Sequence, residues 1–203
     1  MKTFRLIALA GALALGVAVP AQANIIIALN SVTGPVAGQF TWSYEGSLQA
    51  GAETTETSNN PNFPTFFTLY DVGGLVSGSE TQPLGWTATE QLVGVTPSGI
   101  SPTDSASVVN ITWTYTGSQV TGPVDFGAFT FKSTEGNNGL FINFSQQDTK
   151  DNPGQLDDDT RLSGFGSIVG PSASQVPEPL TLSIFGAGLA GAAALRRRKA
   201  RRS

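Results

Sequence analysis

From Asn24 to Gln175, apolar and polar residues alternate in short runs bounded by Gly, Pro, Asn and Asp. Alternation with period 2 is the pattern of a strand that buries one face. Ile25, Ile27 and Leu29 share one face of a first strand, and Phe40, Trp42 and Tyr44 share one face of the next. Further strands are predicted over Thr65–Tyr70, Gly85–Val95, Val108–Tyr115, Phe126–Lys132, Leu140–Phe144 and Arg161–Val169. No stretch of helical period and useful length falls between them. Many short strands in roughly 150 residues predict a mainly β domain, an antiparallel β-sandwich or jelly-roll-like arrangement.

The pattern contains an internal echo. Val32-Thr33-Gly34-Pro35-Val36 recurs identically at Val120-Thr121-Gly122-Pro123-Val124, and Thr41-Trp42-Ser43-Tyr44 resembles Thr112-Trp113-Thr114-Tyr115. After the second Gly-Pro, Phe129-Thr130-Phe131 parallels Phe40-Thr41-Trp42. A Gly-Pro step breaks a strand, and alternating aromatics then turn into a core. The order of turn and aromatic strand is swapped between copies, so this is no tandem repeat with one period. It suggests two similar strand–turn units, neighbours in one sheet.

The alternation stops at both ends of the chain. Lys2 and Arg5 precede an apolar run from Leu6 to Val19, and Ala21-Gln22-Ala23 forms a small-residue cleavage site. This order marks residues 1–23 as a secretory signal helix, with the mature chain beginning at Asn24. At the other end, Val176-Pro177-Glu178-Pro179 is followed by an apolar run, Leu180 to Leu195. A basic stop of Arg196, Arg197, Arg198, Lys199, Arg201 and Arg202 closes the chain. Pro177 and Pro179 push their neighbours toward extended geometry, as a processing site requires. As a helix the apolar run spans about 24 Å, against a hydrocarbon core of about 30 Å, so it makes a short transmembrane anchor. Gly186, Ala190 and Ala194, and likewise Ala187 and Gly191, repeat at i, i+4 and would allow close helix approach. The arginines hold the C-terminus in the cytoplasm.

The three parts in this order resemble the PEP-CTERM sorting signal of Gram-negative bacteria. The resemblance is confined to residues 176–203. It implies that exosortase, an integral-membrane processing enzyme, recognises the tail, cleaves near the Pro-Glu-Pro motif and passes the protein to the surface. It also implies an association with exopolysaccharide and biofilm. On that reading the tail holds the protein in the inner membrane transiently, and its final site is the cell surface or extracellular matrix. The chain then divides into a signal peptide (1–23), an exported β domain (24–175) and the sorting tail (176–203).

This division changes the meaning of the charge. The whole chain carries a formal −4. Of its 11 basic residues, Lys2 and Arg5 lie in the signal and six in the tail, leaving Lys132, Lys150 and Arg161. Of its 15 acids only Glu178 lies outside the domain, so the domain carries −11. Such a surface repels nucleic acid and anionic membrane and attracts cations. The chain has no cysteine and no histidine. Disulfides, cysteine-containing zinc sites, Ser-His-Asp triads and histidine pH switches are therefore excluded.

Three candidate chemistries remain. Asp148, Asp151, Asp157, Asp158 and Asp159 crowd a Gly/Pro-containing segment that reads as a loop. Clustered carboxylates supply the oxygens calcium prefers, although the spacing is not that of an EF-hand and a solvated acidic loop explains it as well. Trp42, Tyr44, Trp86, Trp113 and Tyr115 would stack on sugars if exposed, but their alternation fits a core better. Two converging carboxylates would suit a glycosidase, yet with 14 acids in the domain some pair is inevitable. The expectation is a non-catalytic exported β domain without a cofactor. A carbohydrate- or calcium-binding module and a carboxylate enzyme are the other classes. Asn110-Ile111-Thr112 and Asn143-Phe144-Ser145 match the N-glycosylation acceptor pattern incidentally.

Overall fold

The computed structural model describes residues 24–55, 64–151 and 160–172. Among these residues there are nine strands and no helix: β1 (Ile25–Val36), β2 (Gln39–Leu48), β3 (Ala52–Glu53), β4 (Phe66–Leu69), β5 (Trp86–Gln91), β6 (Asn110–Tyr115), β7 (Val124–Ser133), β8 (Phe141–Lys150) and β9 (Arg161–Val169). The chain is thus mainly β, with antiparallel sheets, as the alternation predicts. The signal segment, the apolar run Leu180 to Leu195 and the basic stop lie outside the described residues. Among the described residues no helix is long and apolar enough to cross a membrane.

One sheet has the order β1-β2-β7. Its register puts Tyr44 opposite Leu29 on one side and Phe129 on the other, with Trp42 opposite Val32 and Phe131. Ile25, Ile27, Trp42, Tyr44, Leu48, Phe129 and Phe131 are all buried. Two irregularities keep this face apolar. A register shift at Asn30 brings Val32, rather than Ser31, onto the core side. On β2 the core position between Tyr44 and Leu48 is Gly46, and the ring of Phe129 fills the space a side chain would take, 2.6 Å from an ideal Cβ.

The second sheet runs β3-β8-β4-β6-β5, with β9 also paired to β8. β3 and β4 lie end to end beside β8, at Thr149–Lys150 and Phe144–Gln147 respectively, while β9 takes the other edge. Phe67, Leu69, Ile111, Trp113, Tyr115 and Trp86 join the residues of the first sheet in one core. Aromatic rings bind the two layers. Phe67 and Trp86 meet Phe129 edge-on at 4.9 and 5.1 Å, and Trp113 meets it at 5.8 Å. Tyr44 donates its hydroxyl to the Val169 carbonyl of β9 at 3.0 Å.

Several expectations change. The strand expected over Leu140–Phe144 continues to Lys150, because Ser145–Gln147 and Thr149 pair on both sides and Asp148 pairs with β9, although the side chains are polar. β5 ends at Gln91, since β6 begins at Asn110 and offers no further partner. Gly34-Pro35 lies within β1 rather than ending it, at the point where the β1–β2 register slips before the turn at Ala37-Gly38. The two Gly-Pro peptides of the echo are both cis. The Thr41–Tyr44 and Thr112–Tyr115 copies are β2 and β6 and lie in opposite sheets, so these two strands are not the neighbours expected; β2 pairs instead with β7, which follows the second Gly-Pro.

Candidate functional site

The sorting residues Val176, Pro177, Glu178 and Pro179 lie outside the described residues, as do Asp157, Asp158 and Asp159. Of the acidic cluster, Asp148 and Asp151 are described. Asp148 is not in a loop. It belongs to β8, opposite Leu162 of β9, and has no exposed surface. Strand pairing carries it inside because β9 begins at Arg161 and holds β8 in register as far as Thr149. Neither carboxylate oxygen has a hydrogen-bond partner among the described residues, and burial pushes the Asp148 carboxyl up to about 8. Asp151 follows β8, and its N–H donates to the Gly51 carbonyl at 2.9 Å. Among the described residues no three acidic side chains gather in a way that could hold a metal ion.

The five aromatics considered for sugar stacking are core residues. Trp42, Tyr44 and Trp113 have no exposed surface, and Trp86 and Tyr115 keep 5% and 7%. Phe67 stacks on Trp113 at 5.0 Å, and Trp86 meets Tyr115 edge-on at 5.3 Å. The indole N–H groups of Trp86 and Trp113 are enclosed without an acceptor, so neither ring is offered to a ligand.

Two pairs of described carboxylates interact: Asp104 repels Asp71 and adds to the rise that burial gives it, and Glu80 meets Glu90. Burial raises Glu80, and its hydrogen bond and repulsion with Glu90 raise it further. Burial acts on Glu90 as well. The Gly78 N–H, 2.7 Å from its Oε1, and bonds from Ser77 and Glu80 outweigh it and lower Glu90. The two carboxyls touch directly, closer than the separation of about 5 Å that a retaining glycosidase needs. The pair instead ties segment 76–81, which bridges to β7 at Thr81, onto β5 of the other sheet. An open recess beside the β1–β2 turn, lined by Val36, Ala37, Gln39, Thr41 and Lys132, contains no carboxylate.

A feature that the alternation did not reveal is the polar outer face of the larger sheet. Thr68, Thr112, Ser145, Gln147 and Thr149 point away from the core yet are buried. Segment 92–109 covers part of this face. Tyr70 joins its hydroxyl to Val95 O, Thr96 Oγ1 and Ser145 Oγ at 2.7–2.8 Å. Thr68 Oγ1 donates to the same Val95 carbonyl at 2.8 Å and shares a 2.8 Å bond with Thr112. Asn110 accepts from the Asp71 N–H and donates to Asp104, whose other oxygen receives the Gly94 N–H. Asn110 is fully buried in this network, which closes it to glycosylation. The network satisfies every polar group it names, so it is architecture rather than an open site.

Residues 175–199 match the family model of the PEP-CTERM protein-sorting motif. The chain carries a PEP-CTERM sorting tail. This match spans Val176-Pro177-Glu178-Pro179, the apolar run and the first four basic residues. A PEP-CTERM motif implies exosortase-dependent sorting of an exported protein, with the cell surface as its target and exosortase as its processing partner. No curated protein and no solved structure matches the chain.

Proposed function

We propose that this protein is a non-catalytic component of the cell surface or extracellular matrix, delivered there by cleavage at its PEP-CTERM tail. The signal peptide takes the chain across the inner membrane, and Leu180 to Leu195 holds it there while Arg196–Arg202 stay in the cytoplasm. Exosortase cuts near Pro177-Glu178-Pro179 and frees residues from Asn24 onward, a β-sandwich of formal charge −11. The protein then works within exopolysaccharide, in the setting of a biofilm. The motif over residues 175–199 supports the delivery route of this reading. The enclosed tryptophans and the direct contact of Glu80 with Glu90 weigh on the side of a structural role.

The test is to replace Pro177, Glu178 and Pro179 together by alanine and fractionate the cells. The expected result is retention of the variant in the inner membrane while the wild type reaches the surface or medium. Equal export of both proteins would contradict the proposed route.

A further inference from the structure

Asp148 is the fully buried carboxylate of the described residues, and the proposed surface role makes no use of it. Its surroundings follow from the register. Along β8, Ile142 and Phe144 face the core, and alternation puts Gln146 and Asp148 on the same side. Its cross-strand neighbour Leu162 packs against the core. From the facing sheet, β1 presents Ile25, Ile27 and Leu29, none of which is charged. Glu53 of β3 and Arg161 of β9 both pair with Thr149, and so project from the opposite face. Lys150 shares the side of Asp148 two residues on, but it is exposed. The nearby Gln146 Oε1 has no hydrogen-bond partner among the described residues either. An ionised carboxylate in this place has no exposed surface and no counter-charge among the described residues, and an uncompensated buried charge is held only at high cost. A neutral carboxylic acid fits.

We propose that Asp148 is a proton latch: the β3–β8–β9 end of the larger sheet is held closed while this residue keeps its proton and loosens when the proton leaves. The direction follows from burial. The folded carboxyl is pushed up to about 8, whereas the unfolded chain ionises near the ordinary value of 3.8. Below the unfolded value both states are protonated and the contribution to stability is fully present. As pH rises from there, the unfolded chain gives up its proton first, and stability falls until the folded carboxyl ionises too. A surface protein meets the pH of its surroundings directly, so the latch makes the domain firmer in mildly acidic surroundings than in alkaline ones.

The test compares the whole protein with Asp148→Asn, which keeps the shape and cannot ionise, in urea unfolding at each pH from 4 to 9. The ratio of their unfolding constants should grow by up to about tenfold per pH unit across the interval, with the wild type the less stable at high pH. Amide exchange at pH 8.5 should be faster in the wild type than in the variant over Ser145–Lys150 and Arg161–Gly164, and equal over Phe40–Leu48. Parallel curves would overturn the proposal. So would a stabilisation by added calcium at pH 8 that the variant lacks, since a cation would then be the neutralising partner. If the asparagine variant fails to fold, carboxyl NMR titration of the wild type decides: a midpoint near 4 for Asp148 overturns the latch, and one several units higher supports it.

Discussion

β2 and β8 are each ten residues long and each lies between paired neighbours, yet the two are buried in different ways. β2 alternates Phe40, Trp42, Tyr44, Gly46 and Leu48 toward the core, and its other face is half-buried and polar. β8 buries Ser145, Gln146, Gln147, Asp148 and Thr149 in succession. The first strand is held by apolar burial and ring contacts. The second is held by pairing on both edges, by hydroxyl bonds shared with Tyr70 and Thr55, and by the Gln147 amide donating to the Pro64 carbonyl. The comparison teaches that strand position in this fold is set by ladder partners as much as by apolar alternation.

The largest effect should come from the aromatic half. Trp113→Ala removes the ring that Phe67 and Phe129 pack against and should lower unfolding free energy by about 3–5 kcal/mol in urea denaturation. Gly46→Ala should cost about 1–3 kcal/mol, because its new methyl meets the Phe129 ring in a filled core. On the polar half the losses should be smaller. Tyr70→Phe deletes the hydroxyl shared by Val95, Thr96 and Ser145 and should cost about 1–2 kcal/mol, with faster proteolysis within segment 92–109. At the bottom of the scale, Leu84→Ser alters a side chain that is fully exposed and should stay within about 0.5 kcal/mol of the wild type. If Tyr70→Phe cost as much as Trp113→Ala, the contrast between the halves would fail.

The same contrast explains what was legible in the sequence. Ile25-x-Ile27, Phe40-x-Trp42-x-Tyr44 and Phe129-x-Phe131 announce both their strands and their inward faces, because large apolar residues tolerate few other places. Arg161–Val169 was found with its observed limits. The polar end of β8 was not, since Ser-Gln-Gln-Asp-Thr has no apolar period and its burial depends on β9 and β4, which are distant in sequence. The misplacement of Asp148 in a loop has the same origin. Five aspartates over a short, Pro- and Gly-containing segment look like one solvated cluster, but a strand of nine residues pairs back and draws the first of them inside. The repeated Val-Thr-Gly-Pro-Val and aromatic segments did not tell β7 from β6 as the partner of β2, because nothing local told β6 to join the other sheet.

The tail was legible throughout because its information is linear. Pro-Glu-Pro, an apolar run and a basic stop need no tertiary partner to be read. We propose that this tail is a transient handle, removed once the domain is outside. The direct measurement is the intact mass of the protein recovered from cells that have exosortase and from cells that lack it. The expected chain begins at Asn24 and ends near Pro177-Glu178-Pro179 in the first case, and keeps Leu180 to Leu195 in the second. Retention of the apolar run in both would contradict the proposal.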